Sequence, residues 1–401
     1  MKRMRKLIML TAIMFLAPAV SQAKTLEELL VEKGVITKGE AAKAAASAPG
    51  SVHYSNGVRW DFSDKNVSGS LSTMIRTRWT FTDYDKDDTE NSRNTSSFDV
   101  TQARLTADGT VLDKEFAYHM MGDFAGESAS LKDAYISYQA CDWADVSMGQ
   151  HKTGLSRQFN TGDNNLQFPD ASAVTDYFNL GRQAGAWASL KSSDMPVTFS
   201  AGIYNGESTG EGLNRSGTDT LHTGVFAARY NMGHIDPFVE SDLDNSEELA
   251  ASFGASVAFG QAKRTGVAEN DDTFTMSVDA IAKYQGWSFG AEYFYKDIQN
   301  DAPDTNAKPN GFYAQVGYFL MPSEFELAAR YGLISCDDGA AGGICAGVKN
   351  YNEVDFSANY YFWGNNLKAQ LAWARLGEKP VASSGNTIAT DRIIFAVGGV
   401  F

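Results

Sequence analysis

The stretch DRIIFAVGGVF, Asp391 to Phe401, decides the fold. On an extended chain Ile393, Phe395, Val397, Gly399 and Phe401 share one face, and Ile394, Ala396 and Gly398 share the other. Both faces are apolar or very small. A water-soluble domain would have to cover such a strand, whereas a strand set in lipid need not be covered. Working back from it, the same period of two recurs. Leu71, Thr73, Ile75, Thr77, Trp79 and Phe81 alternate with Ser70, Ser72, Met74, Arg76, Arg78 and Thr80. In a soluble sandwich the first set would face a core. In a barrel it faces hydrocarbon and the arginines face water. The reading is therefore all-β: a closed transmembrane antiparallel β-barrel, with the final strand sealing against the first.

Counting such segments from Val67 gives sixteen strands over 67–401, with eighteen as the alternative if Val58–Phe62 is included. Ile235–Val239 would make seventeen, which an even-stranded barrel excludes. The long loops near 82–96, 155–182, 205–221, 261–272, 297–310, 334–350 and 376–389, with the short 127–129 connection, then fall at one end. Asn231–Glu248 becomes a single connection at the other.

The 401 residues carry 34 Lys+Arg and 49 Asp+Glu, a net charge of -15. Lys2, Arg3, Arg5 and Lys6 precede an apolar run over 7–20 and then Ser21-Gln22-Ala23, a secretory signal over 1–23. Removing those four cations takes the charge to about -19. Later segments lack an uninterrupted apolar run of helical-span length. The compartment expected is the bacterial outer membrane, with lipid as a partner. Residues 24–50 read as a periplasmic helical segment and linker, with Thr37 and Glu40 as a capping box. Residues 51–66 read as a short hairpin leading into the barrel. The acidic runs Asp83–Glu90, Glu240–Glu248 and Glu269–Asp272 read as loops that bind divalent ions and face anionic headgroups. Cys336 and Cys345 bracket a Gly- and Ala-rich loop, where an oxidising compartment permits a disulfide, and Cys141 is left over.

Residues 155–182 break the rhythm. They hold Arg157, Phe159, Phe168, Tyr177, Phe178 and Arg182, too many aromatics for a solvated loop, and so read as a constriction loop folded into the lumen. The lumen-facing set includes Arg76, Arg78, Arg104, Arg229, Arg330 and Lys368, opposed by Asp123, Asp133, Asp279, Glu292, Glu326, Glu353 and Asp355. A guanidinium fork suits phosphate or carboxylate oxygens. Strict alternation turns Lys152 outward, unless a bulge re-aims it or it snorkels. Enzymatic motifs are weak. G-x-S-x-G and H-E-x-x-H are missing, and His119 and Asp123 lie about 13 Å apart along a strand. Neither cofactor, metal nor nucleic acid is expected.

The segments QARLTADGTVLDKEF (102–116), DFAG (123–126), LKDAYISY (131–138), GQHKTGL (149–155), GRQAG (181–185) and GIYNGE (202–207) resemble the phosphate-selective porin O/P family. The resemblance implies a homotrimeric sixteen-stranded porin with infolded loops that passes phosphate or other small inorganic anions. By motif position it implies Arg104, Lys132, Lys152 and Arg182 as path residues. Alternation places Lys132 with the outward set. The stretch 155–180 has Arg157 as its one basic residue beside Asp163, Asp170 and Asp176. General diffusion of small polar solutes is the alternative. An adhesin or sheath barrel would need an empty lumen, which the aromatic 155–182 stretch opposes.

Overall fold

The computed structural model describes residues 50–62, 66–84, 94–112, 115–191, 196–206, 218–264, 270–299, 306–337, 343–381 and 387–401, with positions 31, 33 and 37. The signal expected over 1–23 and most of the helical segment expected over 24–50 lie outside the described residues. Two units divide at Ser51, and Val52–Phe401 holds the barrel.

The alternating segments form strands β1 (Ser51–Tyr54), β2 (Val58–Phe62), β3 (Val67–Tyr84), β4 (Thr95–Val111), β5 (Phe116–Asp123), β6 (Ser130–Cys141), β7 (Ala144–Lys152), β8 (Arg182–Leu190) and β9 (Val197–Tyr204). The second half comprises β10 (Thr218–Met232), β11 (Ala250–Arg264), β12 (Asn270–Tyr284), β13 (Trp287–Gln299), β14 (Asn310–Met321), β15 (Phe325–Ser335), β16 (Val348–Tyr361), β17 (Leu367–Pro380) and β18 (Ile388–Val400). From β3 to β18 every strand pairs antiparallel with its sequence neighbour, and β18 pairs with β3 from Thr390↔Tyr84 to Val400↔Met74. Phe401 and Thr73 then exchange both backbone hydrogen bonds at 2.8 Å. The barrel is closed with sixteen strands. β2 is not a seventeenth wall strand. It takes up Val67–Leu71 of β3, the part that β18 does not reach.

The side chains confirm which face meets what. Phe98, Met148, Phe199, Phe226, Phe253, Phe289, Phe356 and Leu371 are exposed on the outside, while Gln102, Asp123, Glu292, Glu326, Arg330, Lys368 and Gln370 are buried within. This inversion of a soluble core is what a lipid-facing barrel requires, since each strand offers only alternate residues to hydrocarbon. In β18, Ile393 and Phe395 point out, and Ile394 and Ala396 are 3% and 1% exposed within.

Long loops join the strands at one end (the loop end) and short connections at the other (the turn end). At the loop end the connections β5–β6 and β11–β12 are short, and at the turn end one is long, the connection 233–249 between β10 and β11. It contains no strand, as the even count demanded, and its acids divide: Asp244, Glu247 and Glu248 are exposed, whereas the start of the run is not. Glu240, Ser241 and Asp242 are each 1% exposed. The segment turns back up into the lumen from the turn end, where its acids find partners that sequence proximity could not suggest.

Candidate functional site

After Lys152 the chain leaves the wall and crosses the lumen before rejoining it at Arg182. Two short helices shape this loop, α1 (Arg157–Asn160) and α2 (Ala173–Phe178). Each starts on a serine N-cap: Ser156 Oγ accepts from Phe159 N at 3.2 Å, and Ser172 Oγ accepts from Val174 N at 3.1 Å. Each is also met by a wall glutamate, an arrangement favoured by the exposed N–H groups of a helix start. Glu292 of β13 accepts from Ser156 Oγ at 3.1 Å and from the backbone N of Arg157 at 3.0 Å. Glu353 of β16 accepts from Ser172 Oγ and from Ala173 N at 3.0 Å. Leu155, Phe168, Val174 and Phe178 are all at most 2% exposed, and Phe178 stacks on Phe294 at 5.2 Å. The aromatics that marked the loop as infolded are its anchors. Cys336 and Cys345 are joined in a disulfide and belong to the same apolar cluster as Val174 and Phe178.

Against this loop lies a cavity of about 380 Å³. Its walls carry Arg76, Arg78, Arg104, Lys152, Arg182, Arg330 and Arg392, and on the acidic side Asp163, Asp170, Asp176, Glu353 and Asp355. Seven basic groups line it against five acidic, and Asp123 and Asp133, paired with Arg104 and Arg182 just outside the lining, bring the acids to seven. The space exists because small residues face the guanidinium groups: Arg78 pairs across to Ala396 and Arg76 to Gly398, and Ala372 and Ala374 of β17 also line the cavity. Most of the cations are held by carboxylates. Arg78 bonds Asp170 at 3.0 Å, and Arg104 bonds Asp123 at 2.9 Å and also Asp163. Arg182 reaches Asp133 at 2.9 Å, and Arg330 reaches Asp355 at 2.6 Å. Lys152 Nζ donates to the carbonyls of Phe159 and Thr161. Two cations differ. Arg76, 6% exposed, donates to Gln370 Oε1 at 3.0 Å and makes no ion pair among the described residues. Arg392 makes none either, and its Nε is buried without a hydrogen-bond partner among them.

The loop's own acids feel this charge. Burial would raise the pKa of Asp163, but Arg104, Lys152 and Arg76 together hold it below the usual carboxylate value. Asp176 goes the other way. Its side chain is exposed at the cavity, yet desolvation by the protein around it, with Asp170 nearby, lifts it to about 6.

Toward the turn end a second cavity of about 670 Å³ is lined by Asp108, His119, Tyr135 and Ser137, among others. A row of rings on successive strands ends there. His119 stacks on Tyr135 (5.0 Å), Tyr135 meets Trp187 edge-on (5.3 Å), Trp187 stacks on His151 (3.4 Å) and His151 lies against Tyr204 (5.6 Å). His119 bonds Asp108 and not the Asp123 considered from sequence.

Of the residues selected from sequence, the fold brings Arg76, Arg78, Arg104, Lys152, Arg182 and Arg330 to one cavity. Three others go elsewhere. Arg157 does not line the path: its side chain is 0% exposed, donating to Tyr313 Oη at 2.8 Å and lying 3.8 Å from Glu240. Arg229 is paired with Asp279 at 2.7 Å away from this cavity. Lys132 is the extra residue of a bulge, since Met121 pairs with Asp133 and Gly122 with Leu131, and it does not line the cavity. Lys152 corrects the strict alternation. The ladder to β8 runs without a shift through Lys152↔Arg182, so neither a bulge nor snorkelling is involved. The strand ends there and Nζ follows the chain inward. Arg392 was missed, although it shares a face with Ile394, Ala396 and Gly398, the signal by which it could have been found.

The profile of the phosphate-selective porin O and P family matches residues 72–393. Among solved structures, the outer membrane channel DcaP of Acinetobacter baumannii superposes with a TM-score of 0.59 at 12% identity, covering 84% of this chain and 97% of that one. An anion-selective porin from Comamonas acidovorans gives 0.56 at 12% identity, covering 84% and 100%. A trimer form of OmpT from Vibrio cholerae gives 0.55 at 11% identity, covering 84% and 99%. No curated protein matches the sequence. At these identities the structural likeness concerns the barrel alone.

Proposed function

Because the chain belongs to the phosphate-selective porin O and P family, it is an outer-membrane porin without enzymatic activity, and we propose that the solutes it passes are small anions such as phosphate. The observation that carries this reading is the pair Arg76 and Arg392. Both face a cavity in which the other arginines are matched by carboxylates, so theirs are the guanidinium charges with no ion-pair partner among the described residues. A guanidinium offers five donors in a fixed fork suited to phosphate oxygens. Selectivity is set at the narrow region and not by total charge, so the negative balance of the whole chain does not oppose it. Arg78, Arg104, Lys152, Arg182 and Arg330 line the path as charges already matched or hydrogen-bonded, while Arg157, Arg229 and Lys132 are not assigned to it. The chain works as a homotrimer in outer-membrane lipid with its turn end toward the periplasm; the trimer form of the Vibrio cholerae OmpT supports the first point. General diffusion of small polar solutes is the second reading, favoured by the acids that balance the cavity.

The test is planar-bilayer conductance of the purified protein. In a KCl gradient the reversal potential is expected to have the sign of chloride permeation, and added phosphate is expected to reduce the chloride current. Cation preference with no phosphate effect would overturn the anion reading.

Asp176 gives this selectivity a pH dependence. With a pKa raised to about 6, it is charged at pH 7 and largely neutral at pH 5. Lowering the pH through that window removes one negative charge from the cavity, so preference for chloride over potassium should rise. Asp176→Asn should show the higher preference already at pH 7 and lose the step. A step that survives in Asp176→Asn would assign it to another group.

A further inference from the structure

We infer that Glu240, delivered from the turn end by the inserted connection 233–249, is the positioning residue that fixes the constriction loop in the lumen and so sets the width of the path. Glu240 does not line the cavity and would not touch a solute. Its effect is exerted through the loop.

The connection is first secured to the wall. Ser241 Oγ donates to Glu326 Oε2 at 3.0 Å and lies 2.7 Å from Tyr361 Oη. Asp242 accepts from Gly286 N at 2.8 Å and from Ser246 N at 3.1 Å. Lys283 Nζ donates to Asp236 O at 3.2 Å. From that base Glu240 meets the loop with all of its polar atoms bar its own carbonyl. Its backbone N donates to Asn165 O at 3.0 Å. One carboxylate oxygen accepts from Gln158 Nε2 at 2.9 Å, and the other accepts from Gln167 N at 2.9 Å. Asn165 Nδ2 returns a bond to Phe238 O at 3.0 Å.

The two carboxylate oxygens thus tie α1 to the bend at Gln167 before α2. The wall glutamates Glu292 and Glu353 each hold one helix start, whereas Glu240 holds the span between them. Helices of four and six residues have no stability of their own, so the span depends on such ties. A buried carboxylate is tolerated only when its hydrogen bonds are satisfied, and here they are satisfied by the loop. The cavity beside β3, β4, β17 and β18 lies on the side of the loop away from this insertion.

Single-channel recording of the full chain tests this. In Glu240→Ala the unitary conductance is expected to rise about twofold, with added open-channel noise, as the loop relaxes and the path widens. Glu240→Asp, which keeps the carboxylate on a shorter arm, should fall between Glu240→Ala and the unaltered channel. Glu247→Gln alters an exposed acid of the same connection and should leave conductance and noise unchanged. If Glu240→Ala does not assemble, Glu240→Gln keeps the volume and one acceptor and is read the same way. A folded Glu240 variant with unaltered conductance and noise would overturn the assignment. An equal change in Glu247→Gln would do the same, since it would point to the segment's charge and not to this contact. The readout is path width and steadiness, so it stands whether or not the channel prefers anions.

Discussion

Replacing Arg76 by Gln is expected to weaken phosphate block of the chloride current by roughly tenfold to hundredfold, the worth of about 1.5–3 kcal/mol for a charge-assisted hydrogen bond. The residue is chosen because its removal is clean. Arg78, Arg104, Arg182 and Arg330 each neutralise a carboxylate, so deleting any of them strands an acid and disturbs more than solute binding. Arg76 neutralises none within ion-pair distance among the described residues. Its one side-chain partner, Gln370, keeps its own donor bonds to Gln167 O at 3.1 Å and Asn359 Oδ1 at 3.2 Å. The barrel should therefore fold and the loop should stay in place. Arg76→Lys should retain part of the effect, because an ammonium keeps the charge and loses the bidentate fork. Block that is equally strong in Arg76→Gln would remove Arg76 from the anion site and leave general diffusion as the better reading.

The wall was legible because it is periodic. Alternation in β3 or β18 states which residues meet lipid, and the even-number rule excludes seventeen strands, while the choice of sixteen over eighteen needed the pairing of β18 with β3. The constriction loop was legible because Phe168 and Phe178 are too apolar for water. Three things were not legible, each for a physical reason. Bulges shift the phase of alternation, and the one at Lys132 has no marker in the sequence, so a motif position was carried to a side chain outside the cavity. The end of a strand frees a side chain from its face, as Lys152 shows. Charge pairs form across the lumen between residues far apart in sequence, such as Arg78 with Asp170. A list of inward arginines therefore could not distinguish those already matched from Arg76 and Arg392. The connection 233–249 is the sharpest case. Its acids have the composition of a solvated loop, and only the three-dimensional placement of Gln158, Gln167 and Arg157 above them turns Glu240 into a buried group.

Arg157→Ala is expected to destabilise the loop by about 3–5 kcal/mol, the range for removing one member of a buried charge network. Burial opposes the guanidinium's charge, yet Tyr313, Glu240, Glu292 and Asp279 more than offset this and raise its pKa, so it is a fixed cation at any working pH. It joins the loop to three elements at once: Tyr313 of β14 at 2.8 Å, the carbonyl of Pro237 at 3.4 Å, and Asp279 of β12 at 3.7 Å. Without it, Glu240 and Glu292 remain buried with no cation between them. Water must then enter or the loop must lift, and either outcome opens the backbone of 153–181. Limited proteolysis of the folded barrel should produce a new cut within that stretch, absent from the unaltered protein, while the sixteen-stranded wall resists. Arg157→Lys should be cut more slowly than Arg157→Ala, because its charge is kept but its reach to both Tyr313 and Pro237 is not. If Arg157→Ala is as resistant as the parent chain and unfolds at the same temperature, the loop is held by its capped helix starts and its apolar anchors, and the central cation is dispensable.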